Sequence, residues 1–205
     1  MNTHNSIVLA THNKHKAIEI INLFSGTNID ILSLDHFPDI SDIKETGKTL
    51  LENSLIKARE VYHITGIPAL ADDTGLEVDL LDGAPGLYSA RYAGINVSYN
   101  DNIDKLLLDL VKYKNEKERT ARFKTVMSFV DENTELIDVG IIEGYITLKK
   151  FGKNGFGYDP IFRPKNYKKT FAQMSDSEKG EISHRSIALN KIKNKIEKYI
   201  NKESL

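Results

Sequence analysis

The sequence predicts an α/β protein built on a mixed β-sheet, and three observations carry that expectation. Short apolar runs at 6–10 (SIVLA) and 67–71 (IPALA) have the length and composition of buried strands. Helix-spaced segments at 14–24 and 49–65 stand beside them, as βα units require. Two longer β segments, about 119–130 and 135–148, are separated only by the turn residues Asp131-Glu132-Asn133, which reads as a hairpin.

The remaining elements follow in chain order. Asn28 to Leu34 reads as a second strand. Thr49 and Glu52 form a capping-box pattern that opens a helix with Leu51, Leu55, Ala58 and Tyr62 as its apolar stripe. Gly66 should stop that helix, and Pro68 then opens the strand leading to Asp72. A separate strand is expected over 76–81, turned by the loop at 83–86. A helix over 100–113 presents Ile103, Leu106, Leu107 and Leu110. The last helix is expected over 186–200, with Ile192, Ile196 and Tyr199 on one face. No repeat, linker or low-complexity tract interrupts residues 1–205, so one domain, or one domain with two lobes, is expected.

Composition narrows the function. A net charge of −1 offers no positive field for nucleic acid or an anionic membrane. The absence of cysteine excludes disulfides and thiolate metal sites. No apolar run approaches the roughly 18 residues that a membrane span needs, and residues 1–6 are too short and polar for a signal peptide. A soluble, cytoplasmic protein is the expectation.

Five segments carry chemistry. Thr11-His12-Asn13-Lys14-His15-Lys16 lies between the first strand and first helix. Asn13 can cap that helix, whose free N–H groups, with Lys16, suit phosphate. Glu45-Thr46-Gly47 precedes Asn53 and Lys57, which share one helix face four residues apart. Gly47-Lys48-Thr49 is not a P-loop, because Asp42 stands where the first glycine belongs. Asp72-Asp73 closes the apolar run before Thr74-Gly75, and pleat geometry leaves open which carboxylate points at a shared ligand. Two carboxylates facing a triphosphate would repel by several kcal/mol at about 4 Å and an effective dielectric near 20, so a cation, Mg²⁺, is expected. Gly155-Phe156-Gly157-Tyr158-Asp159-Pro160 combines close backbone approach with an aromatic and an acid suited to a base. Lys179 and Ser183-His184-Arg185 place donors beside a helix start, behind a second capping-box pattern at Ser175 and Glu178.

Together these segments resemble the inosine triphosphate pyrophosphatase family, also called XTP/dITP diphosphatases. The matching stretches, which include Gly83-Ala84-Pro85-Gly86 and Tyr88-Ser89-Ala90-Arg91-Tyr92, run in the family's order from Ile7 to Leu189. The resemblance implies a Mg²⁺-dependent hydrolase that cuts ITP, dITP or XTP to the monophosphate and pyrophosphate. It implies that Asp73 is base and metal ligand, Glu45 the second ligand, and Asp72 and Asn53 supporting residues. Thr11, His12, Asn13, Lys14, His15, Lys16 and Lys57 would hold phosphates. Thr74, Phe156, Gly157, Tyr158, Asp159, Lys179, His184 and Arg185 would line the nucleotide pocket. The implied fold is an elongated central mixed sheet with helices forming two lobes around an active-site cleft, assembled as a homodimer. His12 and Ser186 stand where the family commonly has glycine, and Thr74 where it commonly has serine.

Overall fold

A computed structural model describes residues 5–203. In chain order the principal elements are β1 (Ser6–Leu9), α1 (Lys14–Phe24), β2 (Asp30–Ser33), α2 (Leu50–Thr65), β3 (Ala69–Val78), β4 (Pro85–Gly86), α3 (Tyr99–Asp109), β5 (Thr120–Val130), β6 (Glu135–Ile146), β7 (Phe162–Pro164), α4 (Asp176–Ile182) and α5 (His184–Glu203). Among the described residues seven strands form one mixed sheet in the order β2-β1-β3-β5-β6-β7, with β4 beside β3. β1 runs parallel to β2 and β3, whereas the β3–β4 and β6–β7 pairs are antiparallel. No described helix is long and apolar enough to cross a membrane.

Capping residues set several helix bounds. Asn13 accepts the His15 and Lys16 amides at the start of α1. Thr49 accepts the Glu52 amide at the start of α2, and Gly66 ends that helix in the left-handed conformation. The Glu52 carboxylate takes the Lys48 amide, so the reciprocal half of the box is shifted by one residue. Ser98 and Asp101 close a full capping box on α3, as Ser175 and Glu178 do on α4.

Some expectations need correction. Residues 76–78 are not a separate strand: β3 continues through them, and 79–81 form a 3₁₀ turn. Continuation depends on Gly75, where a Cβ would sit 2.6 Å from the Gly86 carbonyl oxygen of β4. Asp72 and Asp73 therefore lie mid-strand, not at a strand end. On α2, Leu51 is exposed, and the buried side is Leu50, Asn53, Ser54, Ala58 and Val61. Helix α3 ends near Asp109, and α5 begins at His184 rather than Ser186.

The chain divides into two compact units. One contains residues up to Asp73, Thr125–Gly140 and the residues from Ile187 onward. Here the pleat sorts side chains onto two faces. Ile7, Leu9 and Leu70 pack with Ile20 and Phe24 of α1 and Leu189, Ile192 and Ile196 of α5. Val8, Ala10, Ala69 and Ala71 pack with Ala58 and Val61 of α2. The other unit contains Thr74–Lys124 and Ile141–Ser186. Its core joins Leu76, Val78, Ile103, Leu106, Phe123, Phe162 and Phe171. Inside it, the buried Arg119 donates to the carbonyls of Leu110, Tyr113 and Thr147.

Leu70 is fully buried, and its truncation to alanine is expected to destabilise the protein by about 2–5 kcal/mol in urea unfolding. Ile18, on the open side of α1 at 58% exposure, should tolerate the same change within about 0.5 kcal/mol.

Candidate active site

In the first unit, alternation along β3 decides the question that the sequence left open. Asp72 shares the Leu70 face and meets α1, where Lys16 Nζ lies 2.9 Å from its Oδ2. Asp73 shares the Ala69 and Ala71 face and meets α2. Lys57 Nζ stands 3.9 Å from Asp73 Oδ1 and 2.6 Å from Glu45 Oε1. The neighbouring acids thus serve opposite faces of one strand. Ser54 Oγ donates to the Ala71 carbonyl at 3.2 Å, which ties α2 to the strand at this point.

The electrostatics are unbalanced, with three carboxylates set against two ammonium groups. Burial pushes the Asp73 carboxyl up to about 6; Lys57 works against that rise, Glu45 adds to it, Lys16 opposes it and Asp72 adds to it. Burial acts to lower the Lys57 ammonium, but Asp72, Asp73 and Glu45 together outweigh it and hold the group above its ordinary value.

The loop before α1 is organised by short local bonds. The Asn13 amide donates to Thr11 Oγ1 at 3.2 Å, and Asn13 Oδ1 accepts from His15 N at 3.1 Å and Lys16 N at 3.3 Å. His12, Lys14 and His15 are exposed beside this helix start, with His12 Nε2 3.7 Å from Asp42 Oδ1.

The second unit holds a separate polar and aromatic group. Asp159 Oδ2 accepts from the Phe156 amide at 2.9 Å and from Lys179 Nζ at 2.7 Å. The turn needs glycine at 155, which has φ +72° and where a Cβ would lie 2.0 Å from Asp159 Oδ2. Lys179 Nζ lies 4.8 Å from the Phe156 ring centre and Arg185 Cζ 5.5 Å from it, so one aromatic ring meets two cations. His184 stacks on Phe123 with ring centres 4.5 Å apart and planes 14° apart. His184 and Arg185 open α5, where Ser183 Oγ accepts the Ser186 amide. The serine at 186 also joins Ser183 hydroxyl to hydroxyl at 2.6 Å, so it adds to the helix start.

The Tyr158 ring is in the core and its hydroxyl donates to the Ser89 carbonyl at 2.9 Å. Thr74 is half-buried next to Asp73, and Gly157 adopts φ +58°. Phe123, the stacking partner of His184, was not singled out from the sequence. Its alternation with Ala121 marks an inward face, but nothing in a strand pattern names a partner 61 residues away.

Among the described residues no three His, Cys, Asp or Glu side chains group closely enough to hold a metal ion alone. Glu45 and Asp73 form a two-carboxylate set of hard oxygen donors around one ammonium. That set fits Mg²⁺, which takes one or two carboxylates and completes its shell with phosphate oxygens and water.

Comparison with known proteins places the chain. A family model described as the Ham1 family matches residues 7–195. The dITP/XTP pyrophosphatase of Thermoanaerobacter pseudethanolicus is 48% identical over 190 residues, covering 93% of this chain and 96% of its own. The dITP/XTP pyrophosphatase of Vibrio cholerae is 43% identical over 194 residues, with the same coverages, 93% and 96%. A solved HAM1 protein from Coxiella burnetii superposes with a TM-score of 0.87 at 39% identity, over 94% of this chain and 98% of that one.

The raised carboxyl has a thermodynamic consequence in the metal-free protein. Folded Asp73 binds its proton more tightly than the unfolded residue, so its contribution to stability falls as pH rises from about 4 through about 6. Asp73→Asn should therefore be more stable to urea than the parent at pH 7.5, by at most about 3 kcal/mol at 1.4 kcal/mol per pKa unit. The difference should close toward pH 4. A parent that is the more stable protein at pH 7.5 contradicts this assignment.

Proposed function

The chain belongs to the Ham1 family, and from that footing we propose that it hydrolyses the non-canonical purine nucleoside triphosphates ITP, dITP and XTP to the monophosphate and pyrophosphate. The observation that carries the reading is the bridging of Glu45 and Asp73 by the single ammonium of Lys57.

Glu45 and Asp73 would hold Mg²⁺, which when bound supplies positive charge that polarises the phosphate chain. Asp73 orients the attacking water and accepts its proton, and with its carboxyl near 6 in the metal-free protein it is already mostly ionised at neutral pH and ready for both roles. Lys57 exchanges its carboxylate partners for the oxygens of the leaving pyrophosphate. Lys16, steadied by Asp72, and the capped start of α1 from Thr11 to His15 bind the remaining phosphate charge.

Base selection belongs to the second unit. Phe156 offers a ring to stack on, and Asp159 and Lys179 fix the turn that carries it. His184 and Arg185 direct donors at a 6-keto oxygen, with the Thr74 hydroxyl and the Gly157 backbone as further contacts. An adenine amino group would leave such a donor unpaired, which penalises ATP. The same reading makes residues 1–205 one catalytic domain acting as a homodimer in the cytoplasm on free nucleotides, with no nucleic-acid or membrane partner.

Pyrophosphate release with Mg²⁺ from ITP, XTP, ATP, GTP and dUTP tests the proposal. Rapid release is expected from ITP and XTP, with Asp73→Asn slower by about 10²–10⁴-fold. Preference for dUTP, or tight ITP binding without turnover, refutes it. His184→Ala should narrow the preference for ITP over ATP by roughly tenfold or more, and an unchanged ratio removes that residue from base recognition.

A further inference from the structure

The Glu45 loop and the Asp73 strand are joined by a second bridge that carries no charge. Asn53, one turn before Lys57 on α2, is 1% exposed. Its Oδ1 accepts from the Gly47 amide at 2.8 Å, and its Nδ2 donates to Asp73 Oδ2 at 3.2 Å. A backbone N–H can only donate, so the oxygen must face Gly47 and the NH₂ must face Asp73. The contact is close enough to require glycine at 47, where a Cβ would lie 2.7 Å from Asn53 Oδ1 and 2.9 Å from the Asn53 amide nitrogen. Gly47 is two residues from Glu45, so one buried carboxamide sets the loop that carries one acid and orients the carboxylate of the other.

We propose that Asn53 is a positioning residue for hydrolysis, holding Asp73 Oδ2 in a hydrogen bond so that Oδ1 faces the reacting groups, while its own oxygen fixes the Glu45 loop. The inference rests on the functional reading above and assigns a role that the charged groups cannot fill. Lys57 must give up its carboxylates when a triphosphate arrives, whereas the neutral Asn53 has no reason to leave them. It therefore keeps the two acids in register through the reaction.

Asn53→Asp is the informative substitution, because it keeps size and the acceptor for Gly47 but turns an acceptor toward Asp73. It should lower kcat for ITP by about 10–100-fold, the usual cost of losing a partner of a metal-binding or catalytic carboxylate. KM should move by less than about threefold, since no substrate contact is removed. The effect should depend on Asp73, so in the Asp73→Asn background Asn53→Asp should change kcat by less than about threefold. Asn53→Leu removes the polar ends without adding charge, and the same dependence on Asp73 is expected if the aspartate variant folds poorly. Calorimetric Mg²⁺ binding in the presence of a non-hydrolysable ITP analogue gives a readout independent of turnover, and should weaken by about 10–100-fold in Asn53→Leu.

Equal losses in both backgrounds would reduce Asn53 to a folding role and overturn the inference. Parent-like kcat and Mg²⁺ affinity in Asn53→Leu would overturn it too. Full activity in Asp73→Asn alone is a different failure, because it removes the catalytic base and the functional reading with it.

Discussion

Placing three carboxylates on two ammonium groups inside one α/β layer is the constraint on which the rest of this structure depends. A buried carboxylate without a partner is driven to protonate, and one partner shared among several leaves the set short of positive charge. Asp72 pairs with Lys16 through its Oδ2. Glu45 and Asp73 must share Lys57, and that one ammonium does not offset the burial of Asp73, whose carboxyl rises to about 6. A site in that condition is poised for a cation and a proton acceptor, which are the two things the proposed hydrolysis requires.

Local structure serves that arrangement. The Thr49 cap and the Gly66 stop set the length of α2. The Ser54 bond to Ala71 presses the helix against β3, so Asn53 and Lys57 project to the strand position that Asp73 occupies. In the second unit a parallel logic holds the group proposed to recognise the base, where the Asp159–Lys179 pair locks the turn at Gly155 beside the Phe156 ring and its two cations. Each unit is organised around its own buried ion pair, with different chemistry to offer.

Much of this was legible in the sequence where the determinant is local. Asn13, Thr49, Ser175 and Gly66 act within a few residues of themselves, and each caps or stops the helix where its pattern says. The mixed sheet followed from the βα and hairpin periodicities, and the family resemblance is borne out by the Ham1 match. What could not be read depends on partners distant in the chain. Gly75 looks like a strand breaker until Gly86 is seen against it, so β3 was cut short. Of the expected α2 stripe, Leu55, Ala58 and Tyr62 pack on the core and Leu51 alone is exposed, because α2 turns Asn53 and Ser54 inward to meet β3, a polar choice that hydrophobic periodicity discounts. The bond from the Tyr158 hydroxyl to the Ser89 carbonyl joins residues 69 apart, which no local pattern announces.

The central claim is that Asp73 is buried beside too little positive charge to hold it ionised at its ordinary value. Titrating its carboxyl carbon by NMR in the metal-free protein, then repeating the titration with Mg²⁺ and a non-hydrolysable ITP analogue, tests that claim directly. The account predicts a midpoint of about 6 without metal, and a fall below the ordinary carboxylate value of 3.8 when metal and nucleotide are bound. A midpoint already at the ordinary value, unmoved by Mg²⁺ and nucleotide, would contradict it.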